Sequence, residues 1–371
     1  MIVKNNYNEC LTNLACSIRK YFELDYKHNT LDYIDKLLEE YNPKNVVVLL
    51  CDGMGSNIMD RILSKDSFLI KNRLKAITTV FPATTVAATT SITTGLNPVE
   101  SGMLGWDSYY KDLDNVYATF LGFKKGSVEG DLPDPEANKY NEEHMKTKTI
   151  AEYINETGKY KGYNLMPFGQ DPYLDIYDMD ERIIELCKSD GKKFIYAYDE
   201  DPDHTMHRLG WEDPEVQKIF HTINERVEKL SKLVKDTVFI VVADHGHTNV
   251  ENILLEDYPN VVDCLKRTTS MEPRATNFFI KEDKKDEFKE LFNKYFGNYY
   301  DLYSIDEVIE SKLFGDGEEN PIYRDLLGDF LAIAKTEKTL IYGNQMFKSH
   351  HAGYTEDEIM IPLIVFKTEK E

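Results

Sequence analysis

Side chains that bind metal ions stand beside strand-like apolar runs at four separate points of this 371-residue sequence. Carboxylates and imidazoles are the oxygen and nitrogen ligands that zinc and other transition metals take in proteins. A hydroxyl-rich turn, residues 81–86, lies between the first and second of these points. This combination predicts a two-metal hydrolase with a hydroxyl nucleophile. The candidate ligands are Asp52, Asp203, His207, Asp244, His245 and one of the adjacent pair His350 and His351.

The spacing within each group indicates which side chains act together. Asp203 and His207 are four residues apart, which places them on the same side of one helical turn. Asp244 and His245 are adjacent at the end of an apolar run, and the following Gly246 allows the backbone to turn tightly.

Other polar residues near these groups are less favoured as metal ligands. We prefer His351 over His350 because a glycine follows His351 two positions later. Asp201 and His204 are interpreted as surface groups or as supports of the ligands, and His247 as a support of the ligands or an unrelated residue.

The hydroxyl candidates are Thr84 and Thr85, just before a Thr/Ala-rich stretch that predicts a helix ending at Gly95. A hydroxyl at a helix N-terminus lies among oriented backbone N–H groups, which favour an anionic substrate. Threonine is a weak nucleophile unless its proton is removed or a metal binds its oxygen. No Ser-His-Asp order is apparent, so we expect a metal to activate the threonine.

The elements that position these residues are those of an α/β protein. Residues 46–51 form a continuous apolar run, typical of a buried parallel strand. An amphipathic helix over residues 213–235 leads into a second such run, residues 238–243, and this alternation favours a parallel sheet. Ligands bind at the carboxyl ends of such strands. Asp52, Asp203 and Asp244 are therefore expected to converge at one sheet edge.

The predicted architecture is one domain over residues 1–371, a three-layer α/β sandwich with a central mostly parallel sheet and helices on both faces. Residues 107–190 and 255–345 are expected to be insertions that form a cap over the site. We predict no oligomeric state.

The composition limits the partners. The chain has 44 Lys and Arg against 65 Asp and Glu, a formal charge of −21. An acidic surface repels nucleic-acid polymers and anionic membranes, whereas a small phosphorylated substrate is compatible with it because bound cations reverse the field locally. The five scattered cysteines predict neither disulfides nor a structural zinc module. No apolar run has the length of a signal peptide or a membrane span, so we expect a cytoplasmic protein.

Together, the segments from residue 46 to residue 366 resemble the alkaline phosphatase superfamily, in particular its type I phosphodiesterase/nucleotide pyrophosphatase branch. Each motif is modest, but their joint occurrence in this order is specific. The matching motifs are Asp52-Gly53, Thr85 nine residues before Thr94-Gly95-Leu96, Pro202-Asp203 with His207, Asp244-His245-Gly246, and His351 before a Gly-containing turn.

The resemblance implies two divalent metal ions and a phosphoryl-threonine intermediate on Thr85. Zinc suits the mixed oxygen and nitrogen ligands best, with manganese or iron as alternatives. The implied reaction is hydrolysis of phosphodiester or pyrophosphate bonds in a small substrate such as a nucleotide. The implied ligands are Asp203, His207 and His351 for one metal, and Asp52, Thr85, Asp244 and His245 for the other.

Because of two departures from the family pattern, the sequence does not distinguish cleavage of phosphodiesters from cleavage of phosphomonoesters. Diesterase members usually have Asn three residues after the nucleophile, where this chain has Ala88. Alkaline phosphatases use an Arg close after the nucleophile, and none occurs between Thr85 and Gly102. The alternatives are a phosphomonoesterase or phosphonate hydrolase on the same metals. A catalytically silent, metal-stabilised binding protein would lack a ligand or the hydroxyl, and neither is missing.

Substrate contacts are predicted at a few further positions. Thr89 is a candidate for holding a phosphoryl oxygen. Arg274 is a candidate anion clamp, although we favour a surface salt bridge for it. Trp106, Tyr109 and Tyr110 are candidates for stacking on a flat group, with core packing as the alternative.

Overall fold

The computed structural model describes residues 4–169 and 171–370. In this part of the chain the strands are β1 (Asn45–Cys51), β2 (Arg73–Thr78), β3 (Asp107–Tyr110), β4 (Asn115–Ala118), β5 (Lys161–Leu165), β6 (Lys193–Asp199), β7 (Thr237–Val242), β8 (Thr248–Asn249), β9 (Glu251–Leu254), β10 (Ser270–Glu272), β11 (Ala275–Phe278), β12 (Tyr300–Ser304), β13 (Phe330–Ala334), β14 (Lys338–Ile341), β15 (Ser349–His350) and β16 (Met360–Lys367).

The helices are α1 (Leu11–Tyr21), α2 (Asp32–Tyr41), α3 (Ser56–Ile62), α4 (Phe68–Lys71), α5 (Thr85–Thr94), α6 (Pro98–Ser101), α7 (Pro135–His144), α8 (Ile150–Glu156), α9 (Ile176–Lys188), α10 (Asp203–Leu209), α11 (Pro214–Leu233), α12 (Pro259–Val262), α13 (Lys285–Phe296), α14 (Ile305–Glu310), α15 (Tyr323–Leu326) and α16 (Glu356–Ile359). Short 3₁₀ turns occupy Lys111–Leu113, Leu255–Asp257 and Glu282–Lys284. None of the helices in the described ranges is both long and apolar enough to cross a membrane.

The central sheet has six strands in the order β2-β16-β7-β1-β6-β5. Strand β1 pairs in parallel with β6 and β7, and β5 pairs in parallel with β6. Strand β16 runs antiparallel to both of its neighbours, β2 and β7. Every residue of β1, β6 and β7 is buried, which explains their continuous apolar runs. The predicted α/β class with a mostly parallel central sheet is confirmed.

The register of this sheet aligns the strand ends that carry the candidate ligands. Cys51 on β1 lies opposite Asp199 on β6, and Leu50 lies opposite Val242 on β7. Because the strands are parallel, the residues that follow these positions leave the sheet at the same edge. Asp52, the turn before α10 and Asp244 therefore start from neighbouring positions.

A second, antiparallel sheet has the order β12-β13-β11-β10-β3-β4. It takes strands from both expected insertions. The range 107–190 is nevertheless divided, because β3 and β4 join this sheet whereas β5 is an edge strand of the central sheet. Only two of the five residues of β5 are buried, so its sequence lacks the apolar run of a central strand. The cap role of this second sheet remains a prediction.

Candidate metal centre

Backbone hydrogen bonds join the strand ends at the site edge. The amide of Asp52 donates to the carbonyl of Asp199 at 2.9 Å, and the amide of Asp203 donates to the carbonyl of Asp52 at 3.0 Å. The amide of Gly53 donates to Oδ1 of Asp244 at 3.0 Å. Gly53 has a φ of +73°, and a Cβ there would lie 3.0 Å from Cα of Asp203. Backbone bonds thus join Asp52 to Asp203, and the side chain of Asp244 is tied to the same turn through Gly53.

Asp52, Asp244 and His245 form the first cluster, and all three are buried. Nε2 of His245 lies 3.3 Å from Oδ1 of Asp52 and 3.4 Å from Oδ2 of Asp244. These two carboxylate oxygens are buried and have no hydrogen-bond partner among the described residues. Buried charged oxygens are costly unless they are paired or coordinate a metal. The pair therefore fits a divalent cation.

A second cluster surrounds Asp203, whose ligand atom lies within 4.8 Å of those of His245, His247 and His351. Oδ1 of Asp203 is 2.5 Å from Nε2 of His247, 3.3 Å from Nε2 of His207 and 3.7 Å from Nε2 of His351. The rings of His245 and His351 stack with centroids 3.7 Å apart. One carboxylate oxygen thus faces several imidazoles, a donor set that suits zinc.

Carbonyl groups orient three of these imidazoles. Nδ1 of His207 lies 2.9 Å from the carbonyl oxygen of Ser349, Nδ1 of His351 2.9 Å from that of Ala83, and Nδ1 of His245 3.1 Å from that of Gly246. A carbonyl only accepts, so each Nδ1 carries the proton. Each Nε2 is left as a lone pair directed at the carboxylates, the arrangement common for histidines that bind metals.

The environment of His350 differs from that of His351. Its ring packs against Phe347 with centroids 4.3 Å apart, and its Nδ1 accepts the amide hydrogen of His351 at 2.8 Å. The structure thus places His351 in the cluster and His350 beside it.

Thr85 begins α5 next to the first cluster. Its Oγ1 lies 3.4 Å from Oδ2 of Asp52 and 3.3 Å from Nε2 of His245. The preceding Thr84 is the N-cap residue of α5, but its side chain makes no capping hydrogen bond. The first-turn N–H groups of this ten-residue helix are therefore not capped by that hydroxyl and remain suited to an anion.

The carboxylates of the site respond to one another's charge. Burial and the charges of Asp244 and Asp203 raise the pKa of Asp52 well above its usual value. Burial would also raise the pKa of Asp203, but His207 and His247 lower it well below its usual value. The negative charges around Asp52 thus oppose its ionisation. A bound cation would favour the charged form of Asp52.

Comparison with known proteins assigns the family. The family model for type I phosphodiesterase/nucleotide pyrophosphatase matches residues 46–354. This chain belongs to that family. As a member, it is a metal-dependent phosphoric ester hydrolase, and phosphodiester hydrolysis is its reaction class. A search of curated protein sequences gave no significant match.

Solved structures of low sequence identity share the fold of this type I phosphodiesterase. Murine ectonucleotide pyrophosphatase/phosphodiesterase 5 is 18% identical with a TM-score of 0.66, over 88% of this chain and 90% of that chain. The human protein is 18% identical with a TM-score of 0.67, over 88% and 91%. An inactive threonine-to-alanine variant of the murine protein, in complex with AMP, has a TM-score of 0.65 at 18% identity, over 88% and 91%.

The candidate substrate contacts of this phosphodiesterase have different environments. Thr89 lies one turn after Thr85, and its hydroxyl donates to the carbonyl of Thr85 at 2.6 Å. Trp106 is 42% exposed, and its backbone N–H donates to Glu272, which also contacts Thr84. A substrate contact at Thr89 or Trp106 remains a prediction.

Two aromatic candidates belong to the core of the second sheet. Tyr110 is fully buried and stacks on Tyr140 with centroids 4.4 Å apart. Tyr109 packs against Phe279 at 4.9 Å, and its hydroxyl donates to Asp114. Strand β3 turns both residues toward neighbouring elements, so stacking on a substrate is not their role here.

Arg274 is neither the favoured surface salt bridge nor an anion clamp. It is fully buried, with Nε 2.6 Å from Oε1 of Glu358 and Nη2 2.8 Å from Oε2 of Glu358. Nη1 donates to the carbonyl of Lys338 and Nη2 also donates to that of Thr336, each at 2.7 Å. All three guanidinium nitrogens are used within the protein, so none is available to a substrate.

Three residues that touch the site are not among the predicted ligands. The sequence left His247 as a support of the ligands or an unrelated residue, and it did not single out Tyr198 or Glu272. His247 contacts Asp203 directly, and its alternation with His245 in one turn was the available signal. The Tyr198 hydroxyl donates to Oδ2 of Asp52 at 2.5 Å. Glu272 accepts a hydrogen bond from Thr84, and burial raises the pKa of Glu272 to about 7. No local pattern marks Tyr198 or Glu272.

Proposed function

We propose that this protein hydrolyses phosphodiester or pyrophosphate bonds in a small, nucleotide-type substrate, with Thr85 as the nucleophile. The observation that carries the proposal is the position of Thr85. Its Oγ1 lies at the start of α5, within 3.4 Å of two members of the Asp52, Asp244 and His245 cluster.

The proposed ligand sets are those implied by the family resemblance, and the donor atoms described above support them. We propose zinc as the metal, with manganese or iron as alternatives. Two divalent ions at such sites would lower the pKa of the attacking hydroxyl and neutralise charge on the phosphoryl group. The sets are Asp203, His207 and His351 for one ion, and Asp52, Thr85, Asp244 and His245 for the other.

Groups of the protein itself bind the phosphoryl oxygens, attack phosphorus and accept the proton. First-turn N–H groups of α5 are oriented to bind phosphoryl oxygens. Oγ1 of Thr85 forms a bond to phosphorus while the bond to the leaving-group oxygen breaks. Oδ2 of Asp52, 3.4 Å from that hydroxyl, accepts its proton as this bond forms. A water oxygen then bonds to phosphorus while the bond from phosphorus to Oγ1 breaks. A proton returns to Oγ1 and the phosphate product leaves.

A neighbouring fold supports both the nucleophile and the substrate class. The inactive murine variant has alanine in place of a threonine and is in complex with AMP. The formal charge of −21 supports a small substrate over a nucleic-acid polymer. A cytoplasmic location remains a prediction.

Replacing Thr85 tests the nucleophile. We expect Thr85→Ala to lower kcat for a bis-nitrophenyl phosphodiester by on the order of 10³-fold or more, because alanine lacks the attacking oxygen. Thr85→Ser retains a hydroxyl and should keep measurable turnover. Thr93→Ala is the matched control, since the Thr93 hydroxyl donates to the carbonyl of Thr89 within the same helix.

Each outcome of this experiment discriminates between alternatives. Turnover by Thr85→Ala at the wild-type rate contradicts the nucleophile. A nitrophenyl monoester is assayed in parallel on zinc-loaded protein. If it is a better substrate than the diester, the result favours the phosphomonoesterase alternative. A catalytically silent binding protein would bind AMP equally well with and without the Thr85 hydroxyl, and would turn over neither ester.

A further inference from the structure

A buried carboxylate of the second sheet reaches the turn that carries the nucleophile. Glu272, the last residue of β10, is 4% exposed. Its Oε1 accepts hydrogen bonds from Oγ1 of Thr84 at 2.5 Å and from the backbone N–H of Trp106 at 2.8 Å. One oxygen thus joins the residue before Thr85 to the segment that carries the exposed indole.

The hydroxyl of Thr84 forms its hydrogen bond with Glu272 and not with its own helix. Threonine at an N-cap position commonly accepts a hydrogen bond from its own helix, but Thr84 makes no such bond. Thr84 is 1% exposed, so its hydroxyl has little access to water. A hydrogen bond between a buried hydroxyl and a carboxylate is among the stronger ones in proteins. The backbone just before Thr85 is therefore tied to the second sheet.

The backbone around Glu272 is held in an unusual conformation. Met271 has a φ of +66°, in the left-handed region that residues with a side chain rarely adopt. Gly105 packs so closely on this residue that a Cβ at position 105 would lie 2.9 Å from Cα of Met271. Such strain persists only where the surroundings maintain it, and it is frequent at functional sites. Here the strained residue immediately precedes Glu272 in β10.

We propose that Glu272 is a positioning residue that sets the location of the Thr85 hydroxyl through Thr84, and of the Trp106 segment through its backbone. The inference rests on the proposed function, in which Thr85 is the nucleophile. Because both hydrogen bonds end on the same oxygen, the carboxylate fixes the nucleophile and the Trp106 segment relative to each other.

The test compares variants that remove one side of the contact. Glu272→Met keeps the length of the side chain but removes the acceptor, and Thr84→Val removes only the hydroxyl. We expect each to lower kcat for the bis-nitrophenyl phosphodiester by about 10- to 100-fold, because small displacements of a reacting group are costly. Zinc affinity should fall much less than kcat, because the aspartate and histidine ligands are retained. Glu272→Gln keeps an oxygen acceptor and should restore most of the turnover.

Three further measurements separate positioning from general destabilisation. Thr90→Val is the matched control, because the Thr90 hydroxyl donates within α5 to the carbonyl of Val86 at 2.8 Å. It should keep kcat and KM, and thermal unfolding identifies variants that fold poorly. The double variant Glu272→Met with Thr84→Val should be no slower than Glu272→Met alone, since both changes remove the same hydrogen bond.

Thr85→Ala, assayed beside these variants, distinguishes the two proposals. If it is inactive while Glu272→Met and Thr84→Val keep wild-type kcat, the positioning role is overturned and the nucleophile stands. If Thr85→Ala is fully active, both proposals are overturned. Additive losses in the double variant also contradict action through Thr84.

Discussion

Two tyrosines on β6 differ in what their hydroxyls do. Tyr198 donates to Oδ2 of Asp52, whereas the buried hydroxyl of Tyr196 has no hydrogen-bond partner in the described part of the chain. By engaging Oδ2, Tyr198 leaves Oδ1 of Asp52 directed toward His245, 3.3 Å away. The Tyr198 hydroxyl, behind a candidate ligand, thus leaves one particular carboxylate oxygen of Asp52 available to a metal.

At this scale we expect Tyr198→Phe to weaken zinc binding by about 10- to 100-fold, the usual effect of losing a group that orients a ligand. Tyr196→Phe, the same substitution two residues away, should leave zinc affinity unchanged. Competition with a chromophoric zinc chelator measures both constants. Equal affinities in the two variants would show that the Tyr198 hydroxyl does not orient Asp52.

At the scale of elements, the residues of the hairpin between β10 and β11 connect the second sheet to the candidate metal centre. Glu272 contacts the turn before α5, and Arg274 contacts Glu358 on α16. Glu358 also accepts the backbone N–H of Gly353, two residues after His351. One hairpin therefore supports both the turn before Thr85 and the loop that carries a candidate ligand.

Breaking the buried ion pair should destabilise the protein strongly. We expect Arg274→Met to lower the free energy of unfolding by about 3–5 kcal/mol, because Glu358 would be left as an unpaired buried charge. Urea denaturation measures this loss. The exposed pair Arg324 and Glu319 is the comparison, and Arg324→Met should leave the free energy of unfolding nearly unchanged, because water screens the charges of an exposed pair. Similar values for the two variants would contradict the argument.

At the scale of the whole molecule, parallel strands bring three carboxylates to one sheet edge. Two of their oxygens, Oδ1 of Asp52 and Oδ2 of Asp244, are buried without a hydrogen-bond partner in the described residues. This concentration of negative charge opposes folding in the absence of cations. Metal binding and stability should therefore be coupled.

Removing the metal tests this coupling. Zinc present at about 1,000 times its dissociation constant should stabilise the fold by about 4 kcal/mol relative to chelator-treated protein. Asp244→Asn should reduce the gain, because a neutral amide replaces one of the anionic donors. Thermal unfolding with and without zinc measures the difference. An identical Tm in both conditions would exclude a cation from this edge.

The amino-acid sequence by itself determined the parts that depend on local pattern. The apolar run before Asp52-Gly53 predicted the buried strand β1, and the Thr/Ala-rich stretch ended by Gly95 predicted α5. The spacing of Asp203 and His207 predicted one helical turn, which is α10. These predictions succeed because strand burial, helix termini and the helical repeat are encoded within a few residues.

Only the tertiary structure decided which distant side chains meet. Glu272 and Thr84 are 188 positions apart, and Tyr198 and Asp52 are 146 apart. Arg274 is buried because α16, 84 positions away at Glu358, packs against its turn. Such contacts arise from the packing of the two sheets. The residues next to a side chain in the sequence do not indicate which distant residue it will contact.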